Sequence, residues 1–127
     1  MTAATTSRAA LLVSRDLFFI SKVTGTASSL GIEMRVAAEA QAAAQLASVG
    51  AFQCIFIDLA DEGLDVSEFF ASLKGRLPAP VIAFGSHVAT ARLQEAREAG
   101  CTDVMPRSRF SASLPELLQK YCNLSPG

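Results

Sequence analysis

The sequence predicts an α/β domain: a five-stranded parallel sheet covered by helices on both faces. Three observations carry this. Short apolar runs alternate with segments of helical spacing five times along the 127 residues. The central run, Phe52-Gln53-Cys54-Ile55-Phe56-Ile57-Asp58, is almost wholly apolar, as a strand buried on both faces must be. Gly31, Gly50, Pro78-Ala79-Pro80 and Gly100 punctuate the junctions, where a helix has to stop or the chain has to turn.

Each element follows in order. Ala9-Ala10-Leu11-Leu12-Val13 is an apolar strand stopped by Ser14-Arg15-Asp16, and Ile20, Val23, Ala27 and Leu30 then recur at helical spacing up to Gly31. Ile32-Glu33-Met34-Arg35-Val36 alternates apolar and charged residues, which fits a half-covered or edge strand. The alanine-rich segment from Glu39 to Val49 is the second helix, with Ala42, Leu46 and Val49 expected on its buried face and Gly50 at its end. After the central strand comes the turn Asp61-Glu62-Gly63. Asp65 and Glu68 then stand three apart as a capping-box pair before Phe69, Phe70 and Leu73, opening a short third helix. Val81-Ile82-Ala83-Phe84 is the fourth strand, and Ala89, Leu93 and Ala96 give the fourth helix its face. Asp103-Val104-Met105 is a short fifth strand; Ser113 and Glu116 form a second capping-box pair over Leu114, Leu117, Leu118 and Tyr121. Residues Asn123 to Gly127 read as a frayed tail.

Composition narrows the function classes. The length suits one domain over residues 1–127, and no effector segment is expected after it. With 11 Lys+Arg against 12 Asp+Glu, the formal charge of −1 gives no field toward nucleic acid or an anionic membrane. No apolar segment reaches membrane-span length, and the Met1 to Ser7 start lacks a signal peptide's pattern, so a soluble, cytoplasmic protein is expected. Cys54, Cys101 and Cys122 are odd in number and unevenly spaced, which reads as reduced cysteine.

Short right-handed crossovers favour the flavodoxin-like strand order 2-1-3-4-5, a three-layer α/β/α arrangement in which the first, third and fourth strands end at a common crevice. Asp58, closing the central strand, would line that crevice.

At this point the chain resembles the receiver domain of two-component response regulators, from about residue 8 to residue 122. Three stretches carry the resemblance: Phe52 to Asp58; Pro80-Val81-Ile82-Ala83-Phe84; and Ala96-Arg97-Glu98-Ala99-Gly100-Cys101-Thr102-Asp103-Val104. It implies that Asp58 is the phosphoacceptor, and that transfer depends on positioning the phosphoryl group and neutralising its oxygens. It also implies a magnesium ion held by an acidic pair after the first strand, by the aspartate, and by a carbonyl two residues on. The acidic pair aligns with Ser14 and Arg15, so a metal set drawn from this chain would be Asp58, Asp16 and the Ala60 carbonyl. Read from the residues, Asp16 is an acid facing the dipole at the first helix's start.

The family's phosphate-contacting lysine aligns with Arg107, its switch hydroxyl with Gly85 beside Ser86, and its switch aromatic with Val104. The turn after Asp58 is shorter than the family's. These departures together predict a degenerate receiver, a pseudo-receiver without enzymatic turnover. In it Arg15, with Arg107 as a further candidate, pairs with Asp58 in the space of the metal. The implied partners are a histidine kinase, a phosphotransfer protein or another regulator, or a second copy of the chain. Leu17-Phe18-Phe19-Ile20 and Phe69-Phe70 carry more bulk than one helix face buries, so an exposed Phe would mark a docking face. His87, the one histidine, reads as a surface residue. The alternative is a flavodoxin-like small-ligand or flavin-binding protein. That needs a glycine- and hydroxyl-rich loop after the first strand, and Ser14-Arg15-Asp16-Leu17-Phe18-Phe19 is not one.

Overall fold

The computed structural model describes residues 8–49, 52–60, 63–73 and 79–122. Gly50, Asp61, Glu62, Pro78, the first seven residues and the 123–127 tail lie outside them. In chain order the elements are β1 (Arg8–Val13), α1 (Leu17–Ser29), β2 (Ile32–Ala37), α2 (Ala40–Val49), β3 (Cys54–Asp58), α3 (Val66–Ser72), β4 (Val81–Gly85), α4 (Thr90–Ala99), β5 (Asp103–Pro106), α5 (Arg107–Ala112) and α6 (Leu114–Tyr121). The five strands form one parallel sheet in the expected order β2-β1-β3-β4-β5, with β2 at an edge.

Strand side chains alternate between two helix layers, because successive residues point to opposite faces. Leu11, Val13, Ile55, Ile57, Val81 and Ala83 pack with α2, α3 and α4. Ala10, Leu12, Cys54, Phe56, Ile82, Phe84 and Met105 pack with α1, α5 and α6. Every residue of β3 and β4 is buried, which accounts for their continuous apolar runs. On β3, Asp58 follows Cys54 and Phe56 on the α1/α5/α6 face, at register with Phe84 of β4.

Two junction glycines meet a backbone requirement: Gly31 and Gly100 follow α1 and α4 with φ of 75° and 116°, left-handed values that other residues rarely adopt. Asp65 caps α3 by accepting from the Ser67 and Glu68 amides.

Three expectations need correction. On α2 the buried residues are Ala40, Ala43, Ala44 and Ala47, whereas Ala42 is exposed and Leu46 half-buried; the Val49 side chain lies outside the described residues. Gln41, Gln45 and Ser48 form an exposed polar stripe on this helix, but outside it the faces are similarly apolar, so close packing of small residues against the sheet chooses the buried one. Ala89 is the residue before α4, half-buried, and not part of its face. The Ser113–Glu116 capping box does not form. A short helix, α5, precedes it, and Ser113 ends α5 and starts α6 at once, with φ −102° and ψ 9° and no side-chain cap bond. An N-cap hydroxyl needs an extended backbone to reach back to its helix, and this residue lacks one.

Candidate functional site

At the carboxyl ends of β1, β3 and β5 two side chains and one backbone amide converge on Asp58, which is 1 % exposed. Ser14, immediately after β1, is also buried, and its hydroxyl donates to Asp58 Oδ2 at 2.8 Å. Arg107, the first residue of α5, donates from Nη2 to Asp58 Oδ1 at 2.7 Å. The Ala60 amide donates to the same oxygen at 2.9 Å. A charge removed from water needs partners of this kind, and both carboxylate oxygens have them.

The alternation of β1 explains who reaches Asp58. Leu12 faces the α1/α5/α6 layer, so Ser14, two places on, continues on that face while Arg15 turns out and is exposed. The expected Arg15–Asp58 pair is therefore corrected: among the described residues the cation bonded to buried Asp58 is Arg107, whereas Arg15 is exposed. Asp16 is the N-cap of α1, accepting from the Phe19 amide through Oδ1 at 3.1 Å. Its other oxygen lies 3.7 Å from Arg107 Nη1, and its own amide donates to Ser14 Oγ at 3.2 Å. One guanidinium thus bridges two carboxylates from different strand ends, a use for which its planar fork is suited.

The sequence reading missed the floor beneath that guanidinium. Arg107 Cζ stands 4.5 Å from the centre of the Phe19 ring and 5.7 Å from Phe84. Phe84 stacks on Phe110 with centroids 4.0 Å apart, and Phe110 meets Phe56 edge-on at 5.2 Å. The signal was available: Phe110 sits three residues after Arg107, about one helical turn on, and Phe84 is the last residue but one of β4. Such a floor holds the cation in place and strengthens its attraction to the carboxylates by excluding water from one side.

The other anticipated phosphate contacts are not assembled around Asp58. Gly85 ends β4, and a Cβ built there would stand 3.0 Å from Leu59 Cβ, so the space of a side chain is filled by buried Leu59. Ser86 is exposed, and its Oγ accepts from the Val88 amide at 3.3 Å. Val104 is half-buried on β5 and packs against the α2/α3/α4 layer. A second unanticipated residue is Arg92 of α4. Its Nη2 donates to the carbonyls of Leu59 at 3.0 Å and Leu64 at 3.1 Å, and its Nε to Leu59 at 3.3 Å. It ties the loop after Asp58 to α4. No sequence pattern marks it, because its acceptors are backbone atoms. At the rim, Leu17 and Phe18 open α1 with exposures of 79 % and 92 %, and His87 is exposed as expected.

With this geometry in view, likeness to solved structures is informative. The receiver domain of the sensor histidine kinase PA1611 from Pseudomonas aeruginosa, which holds a magnesium ion in its active-site cleft, matches with TM-score 0.78 at 19 % identity, over 92 % of this chain and 98 % of that one. A response regulator from Hahella chejuensis matches with TM-score 0.80 at 12 % identity, over 95 % and 99 % of the two chains. The fold is the receiver fold. NtrX from Brucella abortus, in complex with ADP, matches with TM-score 0.75 at 22 % identity, over 92 % of this chain and 27 % of that one. The sequence matches no protein-family model and no curated protein. On the receiver fold Asp58 stands at the end of the third strand, where the sequence resemblance put the phosphoacceptor. No described helix is long and apolar enough to cross a membrane.

Proposed function

We propose that this chain is a receiver-like signalling domain of the two-component type whose pocket works without metal. Arg107 replaces the ion as the charge that neutralises Asp58, and the output is protein–protein contact. The observation that carries this reading is the Arg107 bridge, 2.7 Å to Asp58 and 3.7 Å to Asp16. Magnesium takes about six oxygen ligands in near-octahedral array and keeps its waters reluctantly exchanged for poor donors. Here the donor set does not fit it: one expected carboxylate is the hydroxyl of Ser14, the next position is exposed Arg15, and a guanidinium already pairs with the remaining two acids. The described residues also hold no group of three or more acids, histidines or cysteines placed to share a metal.

Phosphorylation needs an Asp58 oxygen free to attack. Oδ1 accepts from both Arg107 and Ala60, and Oδ2 accepts from Ser14 in a site 1 % exposed, so these donors draw electron density from the carboxylate and a phosphodonor would have to reach Oδ2 through a buried site. The domain is thereby held in one state by an internal ion pair. Exposed Leu17 and Phe18 beside the pocket support a protein partner, a kinase, phosphotransfer protein or second regulator, rather than an enzymatic role. Incubation with acetyl phosphate and magnesium, read by intact mass on the natural chain and on Asp58→Ala, tests the proposal. No mass gain is expected. A phosphoryl group gained by the natural chain and missing from the variant would overturn it.

A further inference from the structure

Cys54 opens β3 and Cys122 closes α6, 68 positions apart in sequence, yet their Sγ atoms lie 3.2 Å from each other with both residues fully buried. The third cysteine is kept away from them: Cys101 packs against the α2/α3/α4 layer, on the opposite face of the sheet. Two thiols, one from the start of β3 and one from the end of α6, are thus held together with a third excluded, which is the placement a specific disulfide requires. Closing from 3.2 Å to a bond of about 2.0 Å asks for a shift of roughly one ångström, within the reach of a helix's last turn.

We propose that Cys54 and Cys122 form a modification site, a dithiol that a peroxide converts reversibly into a disulfide tying α6 to the start of β3. One thiol loses its proton and its sulfur attacks the peroxide. The O–O bond breaks, an S–OH forms, and the other oxygen leaves with the released proton as water. The second sulfur then attacks the first; the S–S bond forms, the S–O bond breaks, and a second water leaves with the second thiol's proton. Two thiols lose two electrons, and one peroxide becomes two waters. A dithiol reductant restores the pair by exchange.

The same geometry makes the site slow to react while closed. The hydrogen bond to Cys122, together with burial, pushes the Cys54 thiol far above its ordinary range, so little thiolate exists at neutral pH. Oxidation passes through opening of the last turn of α6, whose final described bond is Cys122 N to Leu118 O at 2.8 Å. The consequence extends toward Asp58, since α6 follows α5 through a single residue and Arg107 opens α5.

The full chain is treated with hydrogen peroxide, alkylated under denaturing conditions and read by intact mass, non-reducing peptide map and thermal melting. The expected result is loss of two hydrogens, one linked peptide pair holding Cys54 and Cys122, and a rise in Tm on the order of 10 °C, all reversed by dithiothreitol. Cys101→Ala should behave alike, and Cys54→Ala should lose the linkage; if that variant does not fold, Cys122→Ala serves the same purpose. Three alkylated thiols after peroxide, a linkage that includes Cys101, or added oxygen without a linkage would each overturn the assignment.

Discussion

Replacing Arg107 with Ala removes the cation that, among the described residues, contacts Asp58, while leaving a carboxylate that is 1 % exposed in the natural chain. Removing one member of a buried pair costs about 3–5 kcal/mol, because the charge left behind keeps its desolvation penalty. Here Ser14 and Ala60 still donate to Asp58, and the 28 % exposure of the arginine side chain lets water into the vacated space, which argues for the lower end, about 3 kcal/mol. Loss of the Phe19 contact, worth about 0.5–1 kcal/mol, falls within that figure. For a domain of this size the result is a fall in Tm of roughly 10 °C. Urea unfolding of the natural chain, Arg107→Ala, Asp58→Asn and the double variant would close a cycle with a coupling of about 2 kcal/mol. Arg107→Lys should fall between, since a point charge can neutralise Asp58 but not also reach Asp16 and lie on Phe19. A loss below about 1 kcal/mol for Arg107→Ala, typical of a surface pair, or a coupling near zero, would refute the idea that this cation neutralises the buried acid.

Arg92→Ala should cost about 2 kcal/mol, the worth of charged donors on two carbonyls, and should speed amide exchange at Ala60 as the loop after Asp58 loosens. An unchanged Ala60 exchange rate would mean that the loop is held elsewhere. Gly85→Ser, which gives the strand end a hydroxyl, should destabilise by about 1–3 kcal/mol through its contact with the Leu59 Cβ, and in a Leu59→Gly background, where that Cβ is gone, the added loss should be smaller; additive losses would place the strain elsewhere. Burial pushes the Cys101 thiol from 9.0 up to about 12. Its folded value is the higher, so its contribution is complete below pH 9 and is lost as pH climbs from 9 toward about 12, where the unfolded chain has already ionised. Between pH 8 and 11 the urea midpoint of the natural chain should therefore fall more steeply than that of Cys101→Ala, and parallel curves would contradict the shift.

Strands were legible because burial on both faces leaves no alternative to continuous apolar runs: β3 and β4 are buried throughout, and the charged alternation of Glu33 and Arg35 marked β2 as an edge. Helix faces were legible only where side chains differed in size. On α4, Leu93 and Ala96 are buried as their spacing requires, but α2, apart from its polar stripe of Gln41, Gln45 and Ser48, offered alanine on each remaining side. The Ser113 box looked sound as a local pattern and failed because a cap hydroxyl depends on its own backbone, which the preceding α5 had already set. Asp58 could be found from its place at the end of an apolar run. Its counter-ion could not be chosen by proximity in sequence, since Arg15 adjoins β1 whereas Arg107 adjoins β5, across the sheet. The twofold repeat of a strand did hold the answer, because Ser14 shares the face of Leu12 and Arg15 does not.

Under the proposed reading, the departures that the resemblance implies at residues 14, 85 and 107 make sense as one change rather than three. A buried carboxylate at a strand end must have a cation, and a metal can supply it only if further acids hold the metal. Ser14 donates a hydrogen bond but brings no charge, so the positive charge has to come from the protein itself. A side chain starting at the end of β5 must then reach Asp58 and stay there. Arg107 does so by lying on Phe19 and bridging to the free oxygen of Asp16, which is available because the cap of α1 uses the other one. With the charge fixed internally, no hydroxyl is needed at the end of β4, and Gly85 lets Leu59 close over that space. Restoring any one position alone should therefore fail. An acid at 14 without a metal would face Asp58 as a like charge, and a hydroxyl at 85 would collide with Leu59. The proposed metal-free state is thus stable against single reversions, which is what a site committed to an internal counter-ion requires.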